Sequence, residues 1–164
     1  MKFRIGSGYD AHRFCDGRRL VLCGVEFPGE RGLAGHSDAD APLHALTDAL
    51  LGALALGDIG KLFPDTDEAY RDADSLMLLR KAYSLPEFRD WEISNIDMTI
   101  ITQKPKLSPF TGKMRETIAA ALGIDPAQVS IKGKTTEGMG FCGRGEGLEC
   151  HASVLLESKN KDEK

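Results

Sequence analysis

No stretch of this chain approaches the ~20 consecutive apolar residues that a helical bilayer span requires, so a protein built on transmembrane helices is excluded. The opening residues, MKFRIGSGYD, lack the apolar core of a secretory signal. They also run directly into a chemically dense motif, which leaves no room for a transit peptide, so a cytoplasmic location is expected. An excess of basic residues is missing too. Lys and Arg number 21 against 25 Asp and Glu, and the net charge of −4 argues against a general nucleic-acid binder, which normally carries a basic face. Cysteine is sparse: Cys15, Cys23, Cys142 and Cys150 fall into two pairs, each eight residues apart. Neither pair has zinc-knuckle or redox spacing, and without a signal peptide reduced thiols are expected. The phosphate-loop pattern G-x-x-x-x-G-K-[ST] and internal repeats are absent.

What remains is an ordinary globular composition over 164 residues, 41% hydrophobic and 28% charged, long enough for one domain with a real core. That domain is expected over residues 1–158, followed by a charged, frayed tail at 159–164. Residues 2–8 and 19–27 read as strands, and 28–37 as a Gly-rich loop. Ser37 or Asp38 is placed to cap a helix running to about Leu56, with Gly57 as its stop. Leu43, Leu46, Leu50 and Leu54 form its core-facing stripe, while Asp40, His44 and Asp48 form a second, polar one. Residues 57–74 are too rich in Gly, Pro and Asp for regular structure. Helical spacing returns at 75–85, a β-rich run at 91–103, and a third helix from Ser108 or Thr111 to Leu122, ending on Gly123. VSIKGKT and residues 148–157 complete the strands. Few strands, following helices, point to an α/β (α+β) sandwich: one mixed sheet of four to five strands with helices on one face.

Three regions carry chemistry. Asp10 and His12, in GYDAHRF, share one face of a strand by its period of two, and His44 brings a second imidazole from the first helix. An O,N,N set suits zinc and related divalent ions, and three protein ligands leave a fourth position open, as catalytic sites do. Asp10 as a turn cap and the histidines as satisfied side chains would be the structural explanation of each residue alone. Yet three of the four histidines fall in these two runs, with His36 and Asp38 beside the polar stripe, which favours a metal site. The third region, KGKTTEGMGFCGRGEGLE, has six glycines with Thr, Lys and Arg, so its amides and side chains could donate to phosphate oxygens. Glu137 there suits a hard ion such as Mg²⁺. A flexible Gly-rich hairpin fits the same composition.

The runs GYDAHRF, AGHSDADAPLHALTDALLGALALGDIGKLFPDTD, KPKLSP and KTTEGMGFCGRGEG, in that order, resemble the 2-C-methyl-D-erythritol 2,4-cyclodiphosphate synthase family, the cyclases of non-mevalonate isoprenoid biosynthesis. The resemblance spans residues 3 to about 157. Some members are fused to a cytidylyltransferase, for which this chain is too short. The resemblance implies conversion of 4-diphosphocytidyl-2-C-methyl-D-erythritol 2-phosphate to the cyclic diphosphate with release of CMP, by phosphoryl transfer resting on positioning and charge neutralisation. It implies Zn²⁺ on Asp10, His12 and His44, Mg²⁺ or Mn²⁺ on Glu137, and transition-state stabilisation by His36 and Thr135. Ser37 with His36 would hold the erythritol phosphate. Asp58, Ile59 and Gly60, with Phe63, Pro64, Asp65, Thr66 and Asp67, would bind erythritol. Thr102, Gln103, Lys104, Pro105, Lys106, Leu107 and Ser108, with Lys134, Thr135 and Thr136, would form the cytidine and phosphate pocket from a neighbouring subunit. Phe141 and Arg144 join the substrate contacts. The family is a homotrimer with sites between subunits and a cavity on its three-fold axis, and no nucleic acid or membrane is implied. The residues alone also admit a zinc-dependent phosphohydrolase, or a non-catalytic metal- or phosphate-binding module.

Overall fold

The architecture follows from the face of β1 (Phe3–Cys15) that carries Gly6, Gly8, Asp10 and His12. In the computed structural model, which describes residues 2–159, this face meets helix α1 (Ala41–Ala53) at almost no separation. A Cβ added at Gly6 would lie 1.8 Å from the Ala49 carbonyl oxygen, and one at Gly8 would lie 2.0 Å from that of Ala45. Only glycine permits this approach, and Ala45, Ala49 and Ala53 match it with the smallest side chains on the helix. The expected strand at 2–8 is therefore longer, because β1 continues pairing antiparallel with β7 (Gly147–Ser158) through Arg13↔Gly147.

The expected strand at 19–27 is corrected to a hairpin, β2 (Leu20–Leu22) and β3 (Val25–Phe27), in a small sheet of its own. Cys23 and Gly24 turn it with φ of 52° and 72°, the positive angles of a two-residue hairpin turn. The reason lies in Asp40, which is wholly buried. Its carboxylate accepts Cys23 N at 2.9 Å, Gly24 N at 2.7 Å and Leu43 N at 3.2 Å, so one side chain closes the turn and caps α1. This also corrects the helix start expected at Ser37 or Asp38. Ala39 is left-handed (φ 59°), and Asp40 is the cap and is buried, not part of the polar stripe it was expected to share with His44 and Asp48. Helix α1 stops at Ala53, short of Leu56, because Ala55 too turns left-handed (φ 58°).

The main sheet is mixed, in the order β4-β1-β7-β5-β6, with β4 at Gly32–Leu33, β5 at Trp91–Ile101 and β6 at Val129–Lys134. Its one parallel pair is β5 with β6. Between Ile93 and Asn95 the register slips, so Ile93 and Ile96 both face the core although three residues separate them. Helix α1 lies on β1 and β7, and α4 (Thr111–Leu122) lies against β6. Helix α3 (Ser75–Tyr83), capped by Asp74, packs on both helices. It is shorter than the expected 75–85 because a separate turn forms at Pro86–Phe88. Gly123 ends α4 at φ 69°, as its position after Leu122 implies. The segment expected to be irregular, 57–74, contains a short helix α2 (Ile59–Leu62) and a single turn at Glu68–Tyr70. Another short helix, α5 (Gly140–Gly143), sits in the Gly-rich region between β6 and β7. Of the tail expected at 159–164, Lys159 makes hydrogen bonds to the carbonyls of Asp90 and Arg89, both 2.9 Å; the rest lies outside the described residues.

The helix-on-glycine contact predicts a contrast between two alanine substitutions. Gly8→Ala should destabilise the protein by roughly 1–3 kcal/mol or more, since the helix must lift off the strand. Gly112→Ala, where a Cβ meets nothing within 4 Å, should be neutral or stabilising by up to about 1 kcal/mol. Chemical denaturation of both variants checks this, and equal stabilities would contradict the packing described.

Candidate functional site

Beyond Gly8 the same face of β1 presents Asp10 and His12, and the same helix presents His44 one residue before Ala45, whose carbonyl meets Gly8. The three side chains converge. His44 Nδ1 lies 3.0 Å from Asp10 Oδ2, His12 Nε2 lies 3.2 Å from Asp10 Oδ2, and the two imidazole nitrogens are 3.2 Å apart. The rings stand nearly perpendicular, at 87°. A tetrahedral zinc with bonds of ~2.0–2.1 Å separates its ligand atoms by about 3.3 Å. The donor types and their spacing therefore fit such an ion, and this triad could hold one. Asp10 is further oriented by the Ala11 amide, 2.9 Å from Oδ1.

Burial and mutual charge set the protonation of the triad. Burial would raise Asp10, but its hydrogen bond with His44 and the nearby imidazoles outweigh that and hold the carboxyl below its ordinary range. Burial lowers His12, with His44 and Arg18 adding to the effect against the pull of Asp10. Burial pushes His44 down as well, yet the bond to Asp10 and the charges of Asp10, Asp40 and Asp38 lift it above the usual imidazole value. Protons therefore compete with a cation first at His44, whose pKa is raised, and only at lower pH at His12, whose pKa is lowered.

His12 and His44 open into a cavity of about 490 Å³. His36 and Ser37 line it from one loop, and Ile59, Gly60, Phe63, Pro64 and Asp65 line it from another. Asp58 stands behind, its side chain capping α2 through Lys61 N at 2.9 Å, and Asp48 on α1 holds the Ile59 amide at 2.7 Å. Thr66 is exposed, and Asp67 offers its carbonyl to His36 Nε2 at 3.2 Å. The two loops are laced together: Asp72 N donates to His36 O at 2.8 Å and Asp38 N to Ala73 O at 3.1 Å. Arg18 clamps the first loop through the carbonyls of Gly35 and Ser37.

The remaining predicted residues gather elsewhere. A second cavity, of about 390 Å³, is lined by Thr102, Gln103, Pro105, Lys106, Leu107 and Ser108, and by Lys134 and Thr135 at the end of β6. Thr102 N donates to Lys134 O at 2.9 Å and so joins its two walls. It shares no lining residue with the first cavity, so within one chain His36 and Thr135 face different spaces. Lys104 and Arg144 border a neighbouring hollow, and Phe141 lies by His12 in a small cleft. Glu137, with φ 53°, accepts the Thr135 hydroxyl at 2.6 Å and is not part of the triad, while Thr136 bonds the Met139 carbonyl. The Gly-rich region is thus a structured turn ending in α5, not a flexible hairpin.

Sequence reasoning missed Ser75, whose hydroxyl is 3.0 Å from His44 Nε2, and the Tyr70 and Leu78 walls of the first cavity. The Asp74–Ser75 cap signal marks a helix start but cannot reveal which histidine that start faces. Asp38, read as a helix cap, instead accepts the Ser75 amide.

A model of the YgbB family matches residues 3–157. The chain is 59% identical over 153 residues to a protein of Neisseria gonorrhoeae named 2-C-methyl-D-erythritol 2,4-cyclodiphosphate synthase, covering 93% of this chain and 96% of the relative. It is 58% identical to the Moorella thermoacetica protein of that name, over 93% and 94% of the two chains. Among solved structures it is similar to the bifunctional IspDF of Campylobacter jejuni, with a TM-score of 0.92 and 43% identity; the match covers 96% of this chain but spans only 42% of that longer one. The CDP complex of IspF from Plasmodium falciparum matches with a TM-score of 0.83 and 37% identity over 96% and 97% of the chains.

Because the pKa of His44 is raised and that of His12 lowered, metal uptake should release a proton from His44 before any from His12 as the pH falls. Apparent affinity should fall about tenfold per pH unit once the pH drops below the raised His44 value, beginning above the ordinary imidazole range and steepening when His12 also protonates. Calorimetric titration with Zn²⁺ in buffers of different ionisation enthalpy measures this. An affinity flat down to about pH 6 would contradict the assignment of that proton.

Proposed function

The chain belongs to the YgbB family, and from that membership and the geometry above we propose that it is a cyclodiphosphate synthase. It converts 4-diphosphocytidyl-2-C-methyl-D-erythritol 2-phosphate to 2-C-methyl-D-erythritol 2,4-cyclodiphosphate and CMP, as a phosphorus–oxygen lyase of isoprenoid biosynthesis in the cytoplasm. The observation that carries this reading is the triad on the wall of a cavity lined by the 36–37 and 59–65 loops. The comparisons lend no support to the phosphohydrolase alternative.

In this reaction a 2-phosphate oxygen forms a bond to the β-phosphorus, the bond from that phosphorus to the bridging oxygen breaks, and its electron pair leaves with CMP. Little covalent help is needed, so the chain must hold three charged groups in line and keep them from repelling one another. Zn²⁺ held by Asp10, His12 and His44, and Mg²⁺ or Mn²⁺ held by Glu137, would neutralise diphosphate charge when bound. His36 and Ser37 grip the erythritol phosphate, and the loop of Asp58 to Asp67 encloses the polyol. Thr102 to Ser108, with Lys134 and Thr136, receive the cytidine phosphate, and Thr135 with His36 donates to oxygens that gain charge during transfer. Phe141 and Arg144 complete the contacts.

The two cavities share no lining residue within one chain, which supports a homotrimer whose sites form between subunits. The face of β1 turned away from α1 supports the same assembly. It exposes Phe3 (54%), Ile5 (77%) and Tyr9 (50%), apolar area that a partner would cover.

Incubation with the diphosphocytidyl substrate and Mg²⁺ should yield CMP and a cyclic product in equal amounts; inorganic phosphate instead would refute the cyclase. Glu137→Gln keeps the size of the side chain and removes its charge, so turnover should drop about a hundredfold or more while zinc content stays unchanged. An unaltered Mg²⁺ dependence in that variant would remove Glu137 from the metal set.

Composite sites make a complementation prediction. Asp10→Ala and Thr135→Ala chains, each inactive alone, should recover activity when co-assembled, because a mixed trimer contains an interface with both residues intact. A monomer in sedimentation, or no recovery in verified mixed trimers, would count against shared sites.

A further inference from the structure

Behind the triad a chain of polar groups that do not line the cavity, half-buried Asp38 and buried Ser75, ends on His44. Asp38, in the loop before α1, accepts the amide of Ser75 at 3.0 Å on Oδ2 and the Ser75 hydroxyl on Oδ1. Ser75 is 1% exposed, and its Oγ lies 3.0 Å from His44 Nε2. A hydroxyl has one hydrogen to give. Since Ser75 gives its hydrogen to a carboxylate, which can only accept, its oxygen must receive from His44. We infer that Asp38 and Ser75 are positioning residues that keep the hydrogen of His44 on Nε2 and thereby present the lone pair of Nδ1 to the metal position. Nδ1 is the atom 3.0 Å from Asp10 Oδ2 and 3.2 Å from His12 Nε2.

The other neighbour of Nε2 cannot do this alone. Ser37 Oγ is 3.1 Å away, but its other contact is the Ala39 amide, a donor, so its hydrogen is free to turn either way. Only the carboxylate behind Ser75 makes the direction of the chain unambiguous. A metal-bound histidine oriented through its second nitrogen is a general device, and loss of the orienting group typically weakens metal binding by about 10- to 100-fold. Here the orienting carboxylate acts through an intervening hydroxyl. That hydroxyl opens helix α3, so the start of α3 is tied to the metal position.

The inference rests on the proposed metal site, and the experiment separates the two. Zinc affinity is measured on the purified full-length protein by competition with a chromophoric chelator, alongside the melting temperature of the metal-free form. Ser75→Ala keeps the backbone bond to Asp38 and removes only the hydroxyl, and zinc should be held roughly 10- to 100-fold more weakly. Ser75→Thr, which restores a hydroxyl, should recover most of that loss. Asp38→Asn provides the second variant. Its amide can donate to Ser75 Oγ, which reverses the chain and drives the hydrogen of His44 onto Nδ1, so zinc binding should fall at least as far as in Ser75→Ala. A merely structural Ser75 would lower the melting temperature and leave zinc affinity unchanged, and that result overturns the inference. Wild-type protein that takes up no zinc would overturn the metal site itself, and the inference with it.

Discussion

Everything in the site depends on how closely α1 lies on β1. Two glycines on one strand and three alanines on one helix let a helix backbone approach a strand to within the space that a single methyl group would fill. His44 carries a short, stiff side chain, and it reaches within 3.0 Å of Asp10 only because the helix axis is that near. A β-branched residue at either glycine would separate the imidazole from its partners without touching any of them. Packing and ligand geometry are here the same contact, since Ala45 meets Gly8 and His44 is its neighbour in the chain.

Asp40 and Asp38 fix the rest of that geometry from the N-terminal end of α1. Asp40 joins the β2–β3 turn to the first turn of the helix through three amides, so the helix cannot slide along its axis without breaking buried bonds. Asp38 connects the same end to α3. The loop before α1 carries His36 and Ser37; backbone bonds tie it to the 67–73 segment, and Arg18 holds it through the Gly35 and Ser37 carbonyls and pairs with Asp72. A loop held at so many points is a preorganised wall, which is what a reaction that relies on placement requires.

The division of the chain into two cavities has a matching consequence. The end of β6 and the turn after β5 share one hollow, while His12 near the C-terminal end of β1 and His44 in the first turn of α1, with the loops around them, frame another. A substrate with a nucleotide at one end and a polyol phosphate at the other calls on both.

Much of this was legible in the linear chain, and for local reasons. The period of two put Asp10 and His12 on one face, glycine after Leu122 marked the end of α4, and the β-rich run expected at 91–103 marked β5, which ends at Ile101. Each signal involves residues close in sequence, whose geometry the backbone sets. Boundaries went astray where a distant group intervened: the break at Cys23 and Gly24 answers to Asp40, and α1 begins at Ala41 for the same reason. The candidate ligands could be named from residue type and motif. That His44 meets them through Nδ1, that Ser75 stands behind it, and that His36 and Thr135 face separate spaces were decided only by tertiary structure, because each depends on where the sheet and helices carry residues thirty or more positions apart.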